Sequence, residues 1–267
     1  MSAEFDEGTR DAGRKLAPVR VGSVAYLNAA PLTLGVENQV VFAPPSSLAE
    51  LLRAKALDAA LVSVVEVLRD GGYDVLDGVS IASRGPVRSV LLAHRVPLEA
   101  IREVFCDTAS LTSVSLLRVL LAERGLQPRL TPLPEYATAP DRDAVLLIGD
   151  PALAFLAEPR GHRIWDLGEA WRRLTGLPFV YAVWALRRGV TTPEWRRCLR
   201  SVCEQGLTRR EEIVARCAPA ERDALRRYLT ENIRYELGAE EKAGVARFIE
   251  LLEHHTGASL HRVNYLR

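Results

Sequence analysis

Cysteine is scarce in this chain: Cys106, Cys198, Cys203 and Cys217 are the four among 267 residues. None forms a Cys-x-x-Cys pair, and the step from Cys198 to Cys203 is not a usual zinc spacing, so no metal site is expected. Free, mostly buried thiols of a reducing compartment are expected instead. Charge of one sign is also missing, since 35 Lys plus Arg face 34 Asp plus Glu for a net charge of +1. That balance provides no electrostatic reason to expect nucleic acid or an anionic membrane as partner. No run approaches the roughly 18 apolar residues of a spanning helix. The opening MSAEFDEGTRDAGRKLAPVR has no apolar stretch behind its charges, and no lipobox cysteine, which points to a cytoplasmic protein. Residues 1–17 are expected to form a disordered tail.

Catalytic and cofactor motifs are absent as well. There is no Gly-x-Gly-x-x-Gly and no Gly-x-x-x-x-Gly-Lys-Ser/Thr, so no nucleotide cofactor is expected. His94, His162, His254, His255 and His261 belong to no His-Glu-x-x-His motif and no recognisable triad. Solenoid repeats and low-complexity tracts are missing too.

What is present is alternation of strand and helix signals, the mark of an α/β fold. VRVGSVAYL reads as a strand ending at Asn28, with a turn through Ala29, Ala30 and Pro31. QVVFAPP is a second strand, followed by Ser46-Ser47 as a cap for the helix SLAELLRAKAL. AALVSV is a continuous apolar run typical of a buried parallel strand, completing a βαβ unit. After VSIAS and RSVLLAHR the alternation restarts: strand EVFCD, helix VSLLRVLLAERG, strands RLTPLP and AVLLIGD, and helix PALAFLA with Pro151 in its first turn. PFVYAVWALRR is a long strand, and everything from about residue 193 onward reads as amphipathic helix. The two clusters predict two lobes: residues 18–95 with 180–267, and residues 96–179. Ligand then binds between them, at the carboxyl ends of the strands.

The polar residues at those ends are the site candidates: Asn28, Ser63 and Glu66, Arg88 and Ser89, Thr108, Ser110, Thr112 and Ser113, Gly149 and Asp150. DTASLTSVSLL stands out, because hydroxyls before a helix place backbone N–H groups and the helix dipole toward a carboxylate or phosphate. Each candidate also has a plain structural reading. Thr112 or Ser113 serves equally as an N-cap, Asn28 as a turn residue, Asp150 as a cap for the helix opened by Pro151, Ser89 as a strand residue, and Arg88 as a solvated charge. Residue pattern alone leaves both sets open and ends at a cleft binder of small anions.

In order along the chain, VGSVAYLNAAPL, ALDAALVSVVEVL, GPVRSVLL, DTASLTSVSLL, AVLLIGDPAL and DLGEAWRRLTGLPFVYAVWA resemble the chorismate dehydratases of the futalosine route to menaquinone. The resemblance covers nearly everything beyond the amino-terminal tail. It implies a two-lobed fold of the type II periplasmic-binding-protein kind, with a mainly parallel sheet flanked by helices in each lobe. It also implies a cofactor-free hydro-lyase that eliminates water from chorismate, a small-molecule substrate, to give 3-[(1-carboxyvinyl)oxy]benzoate. Asn28 in YLN and Ser89 in GPVRS are the implied catalytic residues. Ser63, Arg88, Ser110, Thr112, Ser113, Gly149 and Asp150 are the implied substrate contacts. Two other readings stand beside it: a non-catalytic carboxylate binder on the same fold, and the sister naphthoate synthase of the same pathway. The sister's Ser-Pro-Cys-Pro-Asn-type opening is absent where this chain has AYLNAAPL.

Overall fold

A computed structural model describes residues 16–267. The segment expected to be a tail lies outside the described residues up to residue 15. Leu16, which falls inside the expected tail, is 1% exposed and its carbonyl accepts the Trp195 indole N–H at 2.9 Å, so this residue packs into the fold.

The first half of the chain forms β1 (Val21–Ser23), β2 (Val40–Phe42), helix α1 (Pro45–Arg53), β3 (Ala59–Ser63), α2 (Val64–Arg69) and β4 (Tyr73–Ser83). It then crosses to β5 (Val90–His94), β6 (Glu103–Cys106), α3 (Leu111–Ala122), β7 (Arg129–Pro132), β8 (Ala144–Ile148), α4 (Gly149–Ala157), β9 (Arg163–Asp166) and α5 (Leu167–Thr175). It returns through β10 (Phe179–Arg187) to α6 (Pro193–Thr208), β11 (Arg234–Leu237), α7 (Ala239–Thr256) and β12 (Tyr265–Leu266), with shorter helical pieces between α6 and β11.

Among the described residues the strands form two sheets, one ordered β11-β4-β10-β3-β1-β2 with β12 beside β4, the other β7-β6-β8-β5-β9. β1, β2 and β3 are parallel, as are β6, β7 and β8, in keeping with their apolar runs, while β10 lies antiparallel between β3 and β4. The chain passes between sheets twice, after β4 and before β10, which makes the two-lobed architecture.

Three expectations change. The strand at Val90–His94, placed at the end of the first lobe from sequence, pairs with β8 and β9 and belongs to the second sheet. Its five residues are all buried, as a central strand requires, but an apolar run does not say which sheet it is central to. The carboxyl-terminal part is not wholly helical: Arg234–Leu237 and Tyr265–Leu266 pair with β4, whose free backbone groups make strands of short segments with little pattern of their own. Finally, Pro45, rather than Ser46 or Ser47, opens α1; Pro44 is its N-cap, and the fixed proline φ suits the first helical turn.

An aromatic cluster holds the return strand. Trp171 of α5 and Phe248 of α7 both meet Phe179 of β10 edge-on, at 5.1 and 4.9 Å between ring centroids. Such pairs contribute about 0.5–1.5 kcal/mol each beyond their burial. At the other end, Gly206 of α6 lies against the carbonyl of Pro31, where an added Cβ would sit 1.8 Å from the oxygen. The helix thereby presses on the 3-10 turn Ala30–Thr33 that follows Asn28 and fixes its position.

Candidate active site

The crevice between the sheets holds a cavity with an empty volume of about 570 Å³, within the range of small-molecule sites. Its walls are mainly apolar, with Val24, Leu61 and Ile81 from the first sheet's side and Val90 and Ile148 from the second's. Six of the sequence-derived candidates line it: Asn28, Ser63, Ser89, Ser110, Ser113 and Gly149.

Asn28 follows β1 in a turn closed by the Tyr26 carbonyl, which accepts the N–H groups of Ala29 at 2.9 Å and Ala30 at 3.2 Å. The Asn28 side chain is therefore not needed to close its own turn. Its Oδ1 is buried and has no hydrogen-bond partner, a state that native structures rarely leave unused. Ser89 lies just ahead of β5 and is 1% exposed. Its Oγ accepts the Tyr228 hydroxyl at 2.8 Å, and its carbonyl accepts the Gly149 N–H at 2.8 Å.

The hydroxyl-rich start of α3 divides into two functions. Ser110 is the N-cap, accepting the Ser113 N–H at 3.3 Å and the Ser113 hydroxyl at 3.1 Å. Having accepted twice, Ser110 Oγ keeps its own proton for a ligand in the cavity. Thr112 does not reach the cavity. Its N–H donates to Ser63 Oγ at 2.8 Å, its Oγ1 accepts the Val65 N–H at 3.1 Å, and the two hydroxyls also pair. Thr112 is fully buried and fastens α3 to the end of β3 across the crevice.

Asp150 and Arg88 lie off the cavity too. Asp150 sits in the first turn of α4, which starts at Gly149, and its Oδ1 accepts the Leu27 N–H at 3.1 Å instead of capping its own helix. Arg88 has φ +63° and an exposed side chain. Its N–H and that of Val87 are both held by the Asp166 carboxylate, which also caps α5. Positive φ here turns the arginine out while turning Ser89 in. Glu66 pairs with Arg53, and Thr108 is exposed; neither lines the cavity.

Sequence reasoning missed the tyrosines. Tyr26 and Tyr181 line the cavity, and Tyr228 stands behind Ser89. Burial, with Asp107 and Asp150 nearby, pushes the Tyr26 phenol up to about 12, and burial holds Tyr181 well above its ordinary value. Both are therefore neutral donors at physiological pH. Burial likewise raises the carboxyls of Asp107 and Asp150. No Lys, Arg or His lines the cavity among the described residues. Aromatic residues inside a strand or a helical tail look like core from sequence, so no local signal marked these three.

A family model described as menaquinone biosynthesis matches residues 19–254. The chain belongs to that family. Its relatives include a chorismate dehydratase of Thermus thermophilus, 34% identical over 89% of this chain and 96% of that protein. Among solved structures, a protein of Archaeoglobus fulgidus superposes with a TM-score of 0.71 at 15% identity, covering 90% of this chain and 98% of that one. The alkanesulfonate-binding protein of Xanthomonas axonopodis pv. citri, bound to MOPS, gives a TM-score of 0.63 at 14% identity over 88% and 90% of the two chains. At such identities these likenesses show the fold alone: that of the type II periplasmic binding proteins. Within the family, this member has the described cavity at the junction of its lobes, and no described helix is long and apolar enough to cross a membrane.

Proposed function

We infer that the chain is a chorismate dehydratase, a hydro-lyase of menaquinone biosynthesis. The relative of that name supports this reading along nearly the whole chain. The site observation that carries it is the unpartnered, buried Asn28 Oδ1 beside Ser89 in an apolar cavity.

Chorismate is a dianion with a ring hydroxyl next to the ring carbon that bears the enolpyruvyl ether. Removing that carbon's proton and the neighbouring hydroxyl leaves an aromatic ring, so the elimination is downhill. The protein must hold one conformer and help the oxygen depart. Asn28 Oδ1 accepts the hydrogen of the substrate hydroxyl, and the Ser89 hydroxyl donates to its oxygen as charge develops there. Ser110, at the positive end of the α3 dipole, takes one carboxylate. Among the described residues the cavity offers no histidine or lysine as base. A carboxylate of the substrate itself takes the ring proton, and the departing hydroxide recovers it as water. Holding these groups in line in a dry cavity is worth up to about 7–11 kcal/mol in favourable systems.

The test is to incubate purified protein with chorismate and follow the product by mass spectrometry. A species lighter by one water with a benzoate spectrum is expected, and Asn28→Ala or Ser89→Ala should slow its formation by about a hundredfold. A chain that binds chorismate without converting it is a carboxylate-binding protein, and the dehydratase reading falls.

A further inference from the structure

Tyr228 lies 139 residues beyond Ser89, in a π-helical turn over Tyr228–Asn232 outside both central β-sheets. It is 2% exposed, yet its hydroxyl is not left to the core: it donates to Ser89 Oγ at 2.8 Å. A hydroxyl has one proton, so after this bond the Tyr228 oxygen can only accept. Its partner Ser89 lines the cavity together with Asn28, so the bond from Tyr228 ends on a hydroxyl that faces the substrate.

We propose that Tyr228 is a positioning residue that orients the Ser89 hydroxyl, so that its proton is presented to the substrate oxygen. The assignment rests on the dehydratase reading above and adds a residue to it. A serine hydroxyl by itself rotates among three staggered positions. Accepting from Tyr228 occupies one lone pair of Ser89 Oγ and leaves its own proton two directions, toward the Val87 carbonyl at 3.4 Å or into the cavity. The first is long for a hydrogen bond between oxygens. A substrate oxygen wins that proton easily. Tyr228 itself does not line the cavity, so its effect on the reaction passes through Ser89.

The experiment compares steady-state turnover of chorismate by wild type, Tyr228→Phe, Ser89→Ala and the double variant, with Tyr235→Phe as control. Tyr235 is also buried, and its hydroxyl has no partner. Tyr228→Phe should lower kcat by about tenfold, the effect of one lost neutral hydrogen bond, with KM within about twofold. In the Ser89→Ala background the same substitution should cost far less, because the partner through which it acts is gone. Tyr235→Phe should keep the wild-type kcat. Thermal unfolding of each variant separates loss of fold from loss of rate. A Tyr228→Phe enzyme at full kcat, or one whose loss multiplies in full with that of Ser89→Ala, overturns the assignment and leaves the dehydratase reading standing. A wild-type chain inert toward chorismate overturns both.

Discussion

Asp150 accepts the Leu27 backbone N–H at 3.1 Å, joining the first turn of α4 to the loop that leads from β1 to Asn28. With the Thr112–Ser63 contact it ties the lobes together on either side of the cavity. Burial raises the Asp150 carboxyl above its ordinary value, only partly offset by the Leu27 bond. Its contribution to stability is then full below the ordinary carboxyl value of about 4 and is lost as pH rises through the raised one. Asp150→Asn keeps an oxygen for Leu27 and does not titrate. The melting temperature of the variant relative to wild type should rise between pH 4 and 8; parallel curves contradict this.

Gly149 has φ +59°, and an added Cβ would lie 3.1–3.3 Å from the Tyr26 ring. Gly149→Ala should destabilise the fold by about 1–2 kcal/mol from the left-handed backbone alone. It should also raise KM, because the displaced Tyr26 ring is a wall of the cavity. Urea unfolding and steady-state kinetics read the two effects separately.

Thr112→Val removes the oxygen that accepts the Val65 N–H and pairs with Ser63. Two buried groups lose a partner, at about 1–3 kcal/mol for each left unsatisfied. Thr112→Ser keeps the hydroxyl and should recover most of the loss. Equal unfolding midpoints for the Val and Ser variants rule out the hydroxyl as the tie.

Arg88 points away from the cavity at φ +63°. Arg88→Gly should leave kcat/KM within about twofold of wild type. It should leave stability near wild type, since relief of about 1–2 kcal/mol of left-handed strain offsets the greater freedom of glycine in the unfolded chain. A large rise in KM places the guanidinium on substrate instead.

Local chemistry decided how much was legible beforehand. Apolar runs such as AALVS and AVLLI, bounded by polar ends, become β3 and β8, and the residues closing or following them, Ser63 and Gly149, do reach the cavity. Asn28 and Ser89 were visible as polar residues in otherwise apolar settings. The strand RIWD and helix α5 were not read from pattern, since their hydrophobic residues are few and their order comes from β5 and the Asp166 cap.

The sequence by itself determined the α/β alternation, the positions of the main strands, the family and the short set of polar candidates, because these depend on neighbours along the chain. Tertiary structure alone decided which sheet received Val90–His94, which hydroxyls at the start of α3 face the cavity or the other lobe, and that Tyr228 meets Ser89. Those outcomes depend on groups far apart in sequence becoming the nearest partners available once water is excluded. No local pattern records which donor will find which acceptor.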